Sequence, residues 1–167
     1  MKKITKKQLK LSIVNLLNNM KVLNFFETEN KDYWLSQIEK SDWGAAQYLT
    51  YLLKANKLND LVGKSMVLML VDSENLVSFC TLAEKDDVQP TDLTPWMGWI
   101  YTFPEYRGKH LAGKLLAHAE RLAKESGATH THISTNHLGF YEKYGYEFFI
   151  TAKDVDGEET RVYRKKL

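Results

Sequence analysis

The sequence has little cysteine and no long hydrophobic run, and both absences narrow what the protein can be. One residue is cysteine, Cys80, so no disulfide can form within the chain and nothing indicates an oxidising compartment. No residues that would activate a thiol flank Cys80 in the apolar run 76–82, which favours a buried side chain over a nucleophile. No run approaches the ~18 apolar residues of a membrane span, and no signal-peptide pattern opens the chain. We therefore expect a cytoplasmic protein that does not engage a membrane.

The chain also lacks a strong charge of one sign. Lysine and arginine number 23 against 21 aspartate and glutamate, a formal net charge of +2. So small a charge does not indicate nucleic acid as a partner, and the basic start MKKITKKQLK is interpreted as a solvated helical turn. Hydrophobic residues make up 44% and charged residues 26%, as in ordinary globular proteins. The length of 167 residues predicts one domain over 1–167.

Hydrophobic periodicity predicts the order of helices and strands. Helical spacing predicts helices over 5–20, over 32–58 with a break near 41–44, over 110–126 and, briefly, over 138–144. Short apolar or alternating runs predict strands over 65–71, 76–82, 96–103, 129–134, 146–152 and 160–165. This order predicts an α+β (mixed α/β) domain in which a mixed sheet carries helices on its faces.

The segment YRGKHLAGKLL, from Tyr106 to Leu116, combines glycines, basic residues and the start of a predicted helix. The first N–H groups of a helix lack internal partners and favour anions, so the segment is suited to phosphate. It is close to the P-loop pattern G-x-x-x-x-G-K-[ST], but Leu115 stands where the Mg²⁺-binding hydroxyl is required. This departure argues against a nucleoside triphosphatase. Two alternatives remain: a pyrophosphate site, or a connection with solvated basic side chains.

Two longer motifs resemble those of a known family. The run IYTFPEYRGKHLA, 100–112, resembles the signature of the GNAT superfamily of acyl-CoA-dependent N-acyltransferases: a strand, then Pro-Glu-Tyr-Arg-Gly, then [QR]-x-x-G-x-[GA]. Downstream, FYEKYGY at 140–146 is similar to the family's F-Y-x-x-x-G-[FY] element. The two motifs occur in the family's order, and the resemblance covers roughly residues 60–152.

The resemblance implies a fold and an activity. The fold is a central mixed, mostly antiparallel sheet of about six to seven strands flanked by helices. Residues 1–60 would form an N-terminal helical region on the substrate side, and 61–167 the acetyl-CoA-binding core. The activity is direct transfer of an acetyl group from acetyl-CoA to a primary amine of a small-molecule or peptide acceptor. Because many relatives dimerise, a homodimer is also a candidate assembly.

The resemblance also assigns residues to the cofactor. The strand from Ile100 through Tyr101 to Thr102 would leave backbone groups free to bond pantetheine and the acetyl carbonyl, and Asn136 would contact the cofactor. The loop that follows the strand would hold the CoA pyrophosphate; its members are Arg107, Gly108, Lys109, His110, Leu111, Ala112 and Gly113. The sequence departs from the family at His110, where a second glycine is usual, and in the short spacing between Asn136 and Tyr141.

The resemblance also implies catalytic residues. Tyr141 would donate a proton to the departing thiolate, and the short spacing places His137 near the thioester as a base or substrate contact. Asp87 is the candidate base, with Asp86 and Glu84 as alternatives in the same loop. Aromatic residues that could line an acceptor pocket or pack in the core are Trp43, Trp96, Trp99, Tyr101 and Phe103.

Two further interpretations complete the predictions. His130 and His132 share one face of a predicted strand, and His137 follows, but no cysteine or carboxylate nearby in sequence completes a ligand set, so we expect no metal. A function of a different class is a non-catalytic acyl-CoA-binding module. Such a module would keep the Gly108 loop and lack a working base or acceptor pocket.

Overall fold

A computed structural model describes residues 19–167. Within that part, one sheet of seven strands runs in the order β1-β2-β3-β4-β5-β7-β6. The strands are β1 Met20–Asn24, β2 Ser65–Asp72, β3 Asn75–Ala83, β4 Trp96–Thr102, β5 His130–Ser134, β6 Glu147–Lys153 and β7 Glu159–Lys166. All pairs are antiparallel except β4 with β5. The predicted mixed, mostly antiparallel sheet of an α+β domain is confirmed.

Helices cover both faces of this sheet. Across the described residues the helices are α1 Lys31–Glu39, α2 Gly44–Lys54, α3 Leu58–Val62 and α4 Leu111–Glu125. Short 3₁₀ turns occupy Phe25–Glu27, Pro104–Tyr106 and Tyr141–Tyr144. The predicted break near 41–44 separates α1 from α2, and α4 lies within one residue of its predicted bounds at each end. None of the helices in this part of the chain is long and apolar enough to cross a membrane.

The central strands bury both of their faces, which explains their nearly continuous apolar sequences. On β2, Val67 and Met69 pack with the helices α1 to α3, whereas Leu68 and Leu70 pack with α4. Cys80 of β3 lies in the second of these cores and is fully buried. Burial raises the pKa of its thiol to about 12. The prediction of a buried cysteine is confirmed.

One predicted helix needs correction, and another lies almost entirely outside the described residues. The helix predicted over 5–20 lies outside the described residues except at its end, where Met20 begins strand β1 and pairs with Asp72. The helix predicted over 138–144 is wrong: only Tyr141–Tyr144 forms a 3₁₀ turn. Gly139 has a φ of 73°, and a left-handed residue there interrupts any helix that begins at Leu138.

Strand β4 carries an irregularity at the centre of the sheet. Phe79 pairs with Tyr101 and Thr81 with Gly98, so two steps on β3 face three on β4. The extra residue is a bulge, and at this point Trp99 has a left-handed φ of 46°. On its other side β4 shares a single paired position with the parallel strand β5, Trp96 with His132. The two strands therefore diverge from that pair onward and leave a wedge between them.

Candidate active site

Two cavities occupy the wedge between β4 and β5. The loop cavity, about 460 Å³, is lined by β4, the segment before α4, and residues of 137–144. The acid cavity, about 570 Å³, is lined by β4, β5, the loop after β3, the start of α2 and the β6–β7 turn. Ile100, His137 and Tyr141 line both cavities. The two spaces therefore meet at these three side chains.

The loop cavity ends at the first turn of α4. Gly108 has a φ of 74°, and a Cβ added there would meet no atom within 4 Å. His110, the residue before α4, is also left-handed with a φ of 57°. Left-handed backbone is the conformation that glycine adopts most easily, which gives a physical reason for a glycine at either position. The free space at Gly108 and the N–H groups at the helix start suit the close approach of an anion.

Most of the predicted cofactor residues line the loop cavity. They are Ile100, Tyr101, Thr102, Arg107, Gly108, His110, Leu111 and Ala112. Three others line neither cavity: Lys109, Gly113 and Asn136. The Lys109 ammonium donates to the Glu105 carbonyl at 3.2 Å, and the Asn136 amide donates to the Glu159 carbonyl at 3.4 Å. The α-carbon of Gly113 faces the ring of Tyr144 so closely that an added Cβ would lie 2.4 Å from a ring carbon.

The side chain of Tyr101 on β4 contacts both the α1–α2 connection and the loop that contains Arg107. Its hydroxyl donates to Asp42 Oδ1 at 2.6 Å, and this bond holds the pKa of the Asp42 carboxyl below its ordinary value. The Trp43 ring stacks on Tyr101 with centroids 5.8 Å apart, and the Arg107 guanidinium lies 5.4 Å from the same ring. Arg107 Nε also donates to the Thr102 carbonyl at 2.9 Å. The Arg107 loop and the α1–α2 connection are thus both fixed to β4.

Tyr141 lies where the cavities meet. Its side chain is 6% exposed, and the rings of Phe140 and Tyr146 pack edge-on against it at 4.9 and 6.2 Å. Burial raises the pKa of the phenol well above its ordinary value, with nearby negative charge, including that of Asp86, adding to the effect. The phenol therefore keeps its proton at neutral pH and can act as a proton donor, but not as a base.

Asp86 is the acid held deepest against β4. Its Oδ2 lies 2.7 Å from the point where a Cβ on Gly98 would stand, so only glycine leaves room for the carboxylate there. Its Oδ1 accepts a hydrogen bond from the Asp87 N–H at 2.8 Å. Burial, with the negative charge of Asp87 as a smaller contribution, raises the pKa of Asp86 to about 7. A carboxylate with this pKa can accept a proton near neutral pH.

The other two candidate bases have different surroundings. Asp87 is exposed and lines the acid cavity; desolvation raises its pKa, a hydrogen bond with Ser134 lowers it, and Asp154 and Asp156 add negative charge nearby. Glu84 lines neither cavity, because its Oε2 accepts from the Lys64 N–H at 2.9 Å. The structure therefore brings Asp86 and Asp87 to the wedge and leaves Glu84 outside it.

Aromatic side chains form another wall of the acid cavity. Trp43, Tyr48 and Trp99 line it, and the Trp99 indole N–H donates to the Ala45 carbonyl at 2.8 Å. Trp96 is fully buried in a separate core cluster, and Phe103 packs in the core beneath α1 and α2.

Sequence reasoning did not identify Gly98, Tyr48 or Asp156. Asp156 lies in the turn between β6 and β7, far along the chain from the other lining residues, and no local pattern signals its position.

The histidines of β5 have structural contacts. His132 is buried, with its Nδ1 3.2 Å from the Pro95 carbonyl and its ring against Trp96, and desolvation lowers its pKa. His130 Nδ1 lies 3.0 Å from the Thr129 hydroxyl. Within residues 19–167, no group of three or more histidine, cysteine, aspartate or glutamate side chains is arranged to hold a metal ion.

Comparison with known proteins identifies the family and the fold. A family model described as an acetyltransferase (GNAT) domain matches residues 63–148. Three similar solved structures come from Desulfovibrio desulfuricans, Streptococcus agalactiae and Elizabethkingia anophelis.

The first is assigned to the GNAT acetyltransferase family: 15% identity, 88% of this chain and 98% of that chain, TM-score 0.65. The second is an acetyltransferase with 22% sequence identity; the match covers 89% of this chain and 99% of that chain, with a TM-score of 0.63. The third is a GNAT family acetyltransferase with acetyl-CoA bound and has 13% sequence identity; the match covers 90% of this chain and 99% of that chain, with a TM-score of 0.63. At these identities the likeness shows a shared fold. No curated protein sequence matches the chain.

Proposed function

The chain belongs to the GNAT family of acetyltransferases, and from that premise we propose that it transfers the acetyl group of acetyl-CoA directly to a primary amine. What supports this most is the meeting of two unlike cavities at Tyr141. One cavity has an anion-binding helix start and the other has carboxylates, so the two substrates would enter from opposite sides. Their reacting atoms would meet where the proton donor lies.

The loop cavity fits CoA by its own features. Gly108 leaves open space beside the first turn of α4, where a pyrophosphate would accept from backbone N–H groups. Arg107 lines the same cavity and adds positive charge. Beyond the bulge, β4 runs past Ile100 with β5 diverging from it, which leaves an edge of β4 to bond an extended chain such as pantetheine. When bound, acetyl-CoA supplies the activated acetyl group.

Direct transfer needs two proton movements, and the residues that line the two cavities include a group for each. The amine nitrogen forms a bond to the acetyl carbon while the carbon–sulfur bond breaks. Asp86 is suited to receive the proton of the amine because its carboxyl has a pKa of about 7. Tyr141 is suited to protonate the departing sulfur because its phenol stays neutral. His137 lines both cavities and is the second candidate to receive the amine proton.

The experiment that tests this function is the substitution Tyr141→Phe. We expect kcat to fall by about 10²-fold, the lower end of the range for general acid–base groups, with the Kd for acetyl-CoA changed less than about twofold. Steady-state release of CoA and calorimetric titration with acetyl-CoA measure the two quantities. Tyr51→Phe is the matched control, since Tyr51 is exposed and lines neither cavity, and it should leave kcat unchanged.

Cofactor binding is tested separately with Gly108→Asp, which places a carboxylate at the helix start. We expect acetyl-CoA binding to be lost. Gly127→Asp is the matched control at the far end of α4, because that glycine also has a positive φ and open space around its Cβ position. Binding of acetyl-CoA by the wild type without turnover on any amine would instead indicate a non-catalytic acyl-CoA-binding module. No binding by the wild type would overturn both.

A further inference from the structure

We propose that the acceptor is a small diamine or longer oligoamine, in which one amino group reacts at Asp86 while a second, still charged, binds Asp87 and Asp156. This inference rests on the proposed function, because it assigns a substrate class to the same site. It goes beyond that function in requiring two cationic groups joined by an apolar chain. The proposal is based on three observations: the residues that line the acid cavity, the structure of the β6–β7 turn, and the cavity volume.

Charge in the acid cavity is of one sign. Asp86, Asp87 and Asp156 line it, and among the described residues its lining includes no lysine or arginine. Asp154 adds its charge to the surroundings of Asp87. Several carboxylates in one partly enclosed space repel each other unless a cation lies among them. One ammonium cannot neutralise all of them, so the cavity is complementary to a molecule with more than one positive charge.

The turn between β6 and β7 holds Asp156 at the cavity. Asp154 Oδ1 accepts from the N–H groups of Asp156 and Glu158 at 3.0 and 2.9 Å, and the Gly157 N–H donates to the Asp154 carbonyl at 3.0 Å. The carboxylate of Asp154 is therefore occupied by the turn itself. Asp156 is left to face the cavity beside Val155.

Part of the cavity wall suits a carbon chain. Trp43 and Trp99 are both cavity-lining aromatics, and the polar indole N–H of Trp99 is already bonded to the Ala45 carbonyl. Apolar and aromatic walls with a few convergent charged groups are typical of small-molecule sites, as is a volume of about 570 Å³. A carboxylate on the acceptor would face Asp87 and Asp156 with like charge. Amino acids are therefore disfavoured relative to amines without an acid group.

Three amines of equal chain length test the proposal: n-pentylamine, cadaverine, which adds a distal ammonium, and the ω-amino acid, which has a distal carboxylate instead. We expect kcat/KM for cadaverine to exceed that for n-pentylamine by about 10-fold, the worth of one charged hydrogen bond, with the ω-amino acid slowest. Asp156→Asn should reduce the ratio of kcat/KM for cadaverine to kcat/KM for n-pentylamine to within about twofold. Glu158→Gln removes the same charge from the same turn outside the cavity lining, and should keep the preference.

Binding measured without turnover separates this proposal from the proposed function. Calorimetric titration of cadaverine and of n-pentylamine into the CoA-saturated protein should show tighter binding of cadaverine, lost in Asp156→Asn. Tighter binding of cadaverine with no acetylation of any amine would overturn the acetyltransferase proposal while supporting a diamine site. Equal turnover and equal binding of the two amines would overturn the diamine proposal while leaving the acetyltransferase intact.

Discussion

The loop cavity and the acid cavity meet at Tyr141, yet they are constructed in opposite ways. The loop cavity is lined by two stretches of chain, within 100–112 and 137–144, and much of its character comes from backbone at Gly108 and at the start of α4. The acid cavity is assembled from side chains that lie far apart in sequence, from Trp43 to Asp156. One cavity depends on two segments that are close in sequence, and the other on segments spread along most of the described chain.

This difference coincides with the extent of the family match. Every residue that lines the loop cavity lies inside the matched segment 63–148. The acid cavity takes part of its lining from outside that segment, from α2 and α3 on one side and from the β6–β7 turn on the other. The family match therefore covers the whole lining of the loop cavity but only part of the lining of the acid cavity. Substitutions on each side should accordingly affect different measurements.

Asp86→Asn should have the largest effect on activity, and it should change amine turnover without changing acetyl-CoA binding. We expect kcat/KM for the amine to fall by 10²–10⁴-fold, roughly the worth of a general base, with acetyl-CoA affinity unchanged. In the wild type, kcat/KM should fall as the pH drops below about 7, where Asp86 becomes protonated. Rate–pH profiles and acetyl-CoA titration measure both. Asp92→Asn, an exposed acid of the same loop that lines neither cavity, is the control.

The same substitution should also stabilise the fold at high pH. Because the folded-state pKa of Asp86 is raised, the folded protein loses stability as pH rises from the ordinary carboxyl range through about 7. An asparagine removes that cost, so the variant should gain at least about 1 kcal/mol more at about pH 8 than at about pH 5. Denaturant unfolding at both pH values measures the difference. An equal gain in the free energy of unfolding at the two pH values would contradict the raised pKa of the Asp86 carboxyl.

The two cavities also differ in how much the sequence could predict. The strand, the turn and the helix around Gly108 are contiguous, so periodicity and motif together located α4 and most of the loop lining. The base could be limited to three acids of one loop, but Glu84 and Asp86 differ only in which neighbour they meet, Lys64 or Gly98. Those neighbours come from pairing between distant segments, which no local pattern encodes.

Two features of the fold were not predicted. Strand β1, with the sequence MKVLN, overlaps the predicted helix only at Met20, and it pairs with the distant strand β2. The segment before Tyr141 has helical spacing of apolar residues, but Gly139 takes a left-handed φ that spacing does not reveal. In both places a tertiary or backbone preference overrides periodicity.

Gly113→Ala should disturb the loop cavity through packing alone, with a smaller effect than the loss of the base. The new methyl group would overlap the Tyr144 ring, which lines the loop cavity, and the ring would have to move toward the cofactor side. Overpacking of this kind costs about 1–3 kcal/mol, against a helix-propensity gain of about 1 kcal/mol. We expect weaker acetyl-CoA binding and a net loss of stability, measured by calorimetry and denaturant unfolding.

Gly44→Ala provides the matched control for this prediction. It adds the same methyl group in a helix, but nothing lies within 4 Å of the new Cβ. We expect a gain of about 0.5–1 kcal/mol and no change in acetyl-CoA binding. If Gly113→Ala were as stable as Gly44→Ala, the contact with Tyr144 would not be a constraint on the loop cavity.

His110→Gly should have the smallest effect and should sharpen the description of the loop cavity. A left-handed conformation costs a residue with a Cβ about 1–2 kcal/mol, and glycine relieves it while adding up to about 1 kcal/mol of unfolded-chain entropy. The net gain in stability should therefore be under about 1 kcal/mol. His110→Ala keeps the strain and removes the imidazole, so the pair separates backbone from side chain. Relief of backbone strain affects only the glycine variant, so an equal change in both variants reports on the imidazole. Equally weakened acetyl-CoA binding would show that the imidazole contacts the cofactor. Tighter binding in both would show that the side chain crowds the pyrophosphate.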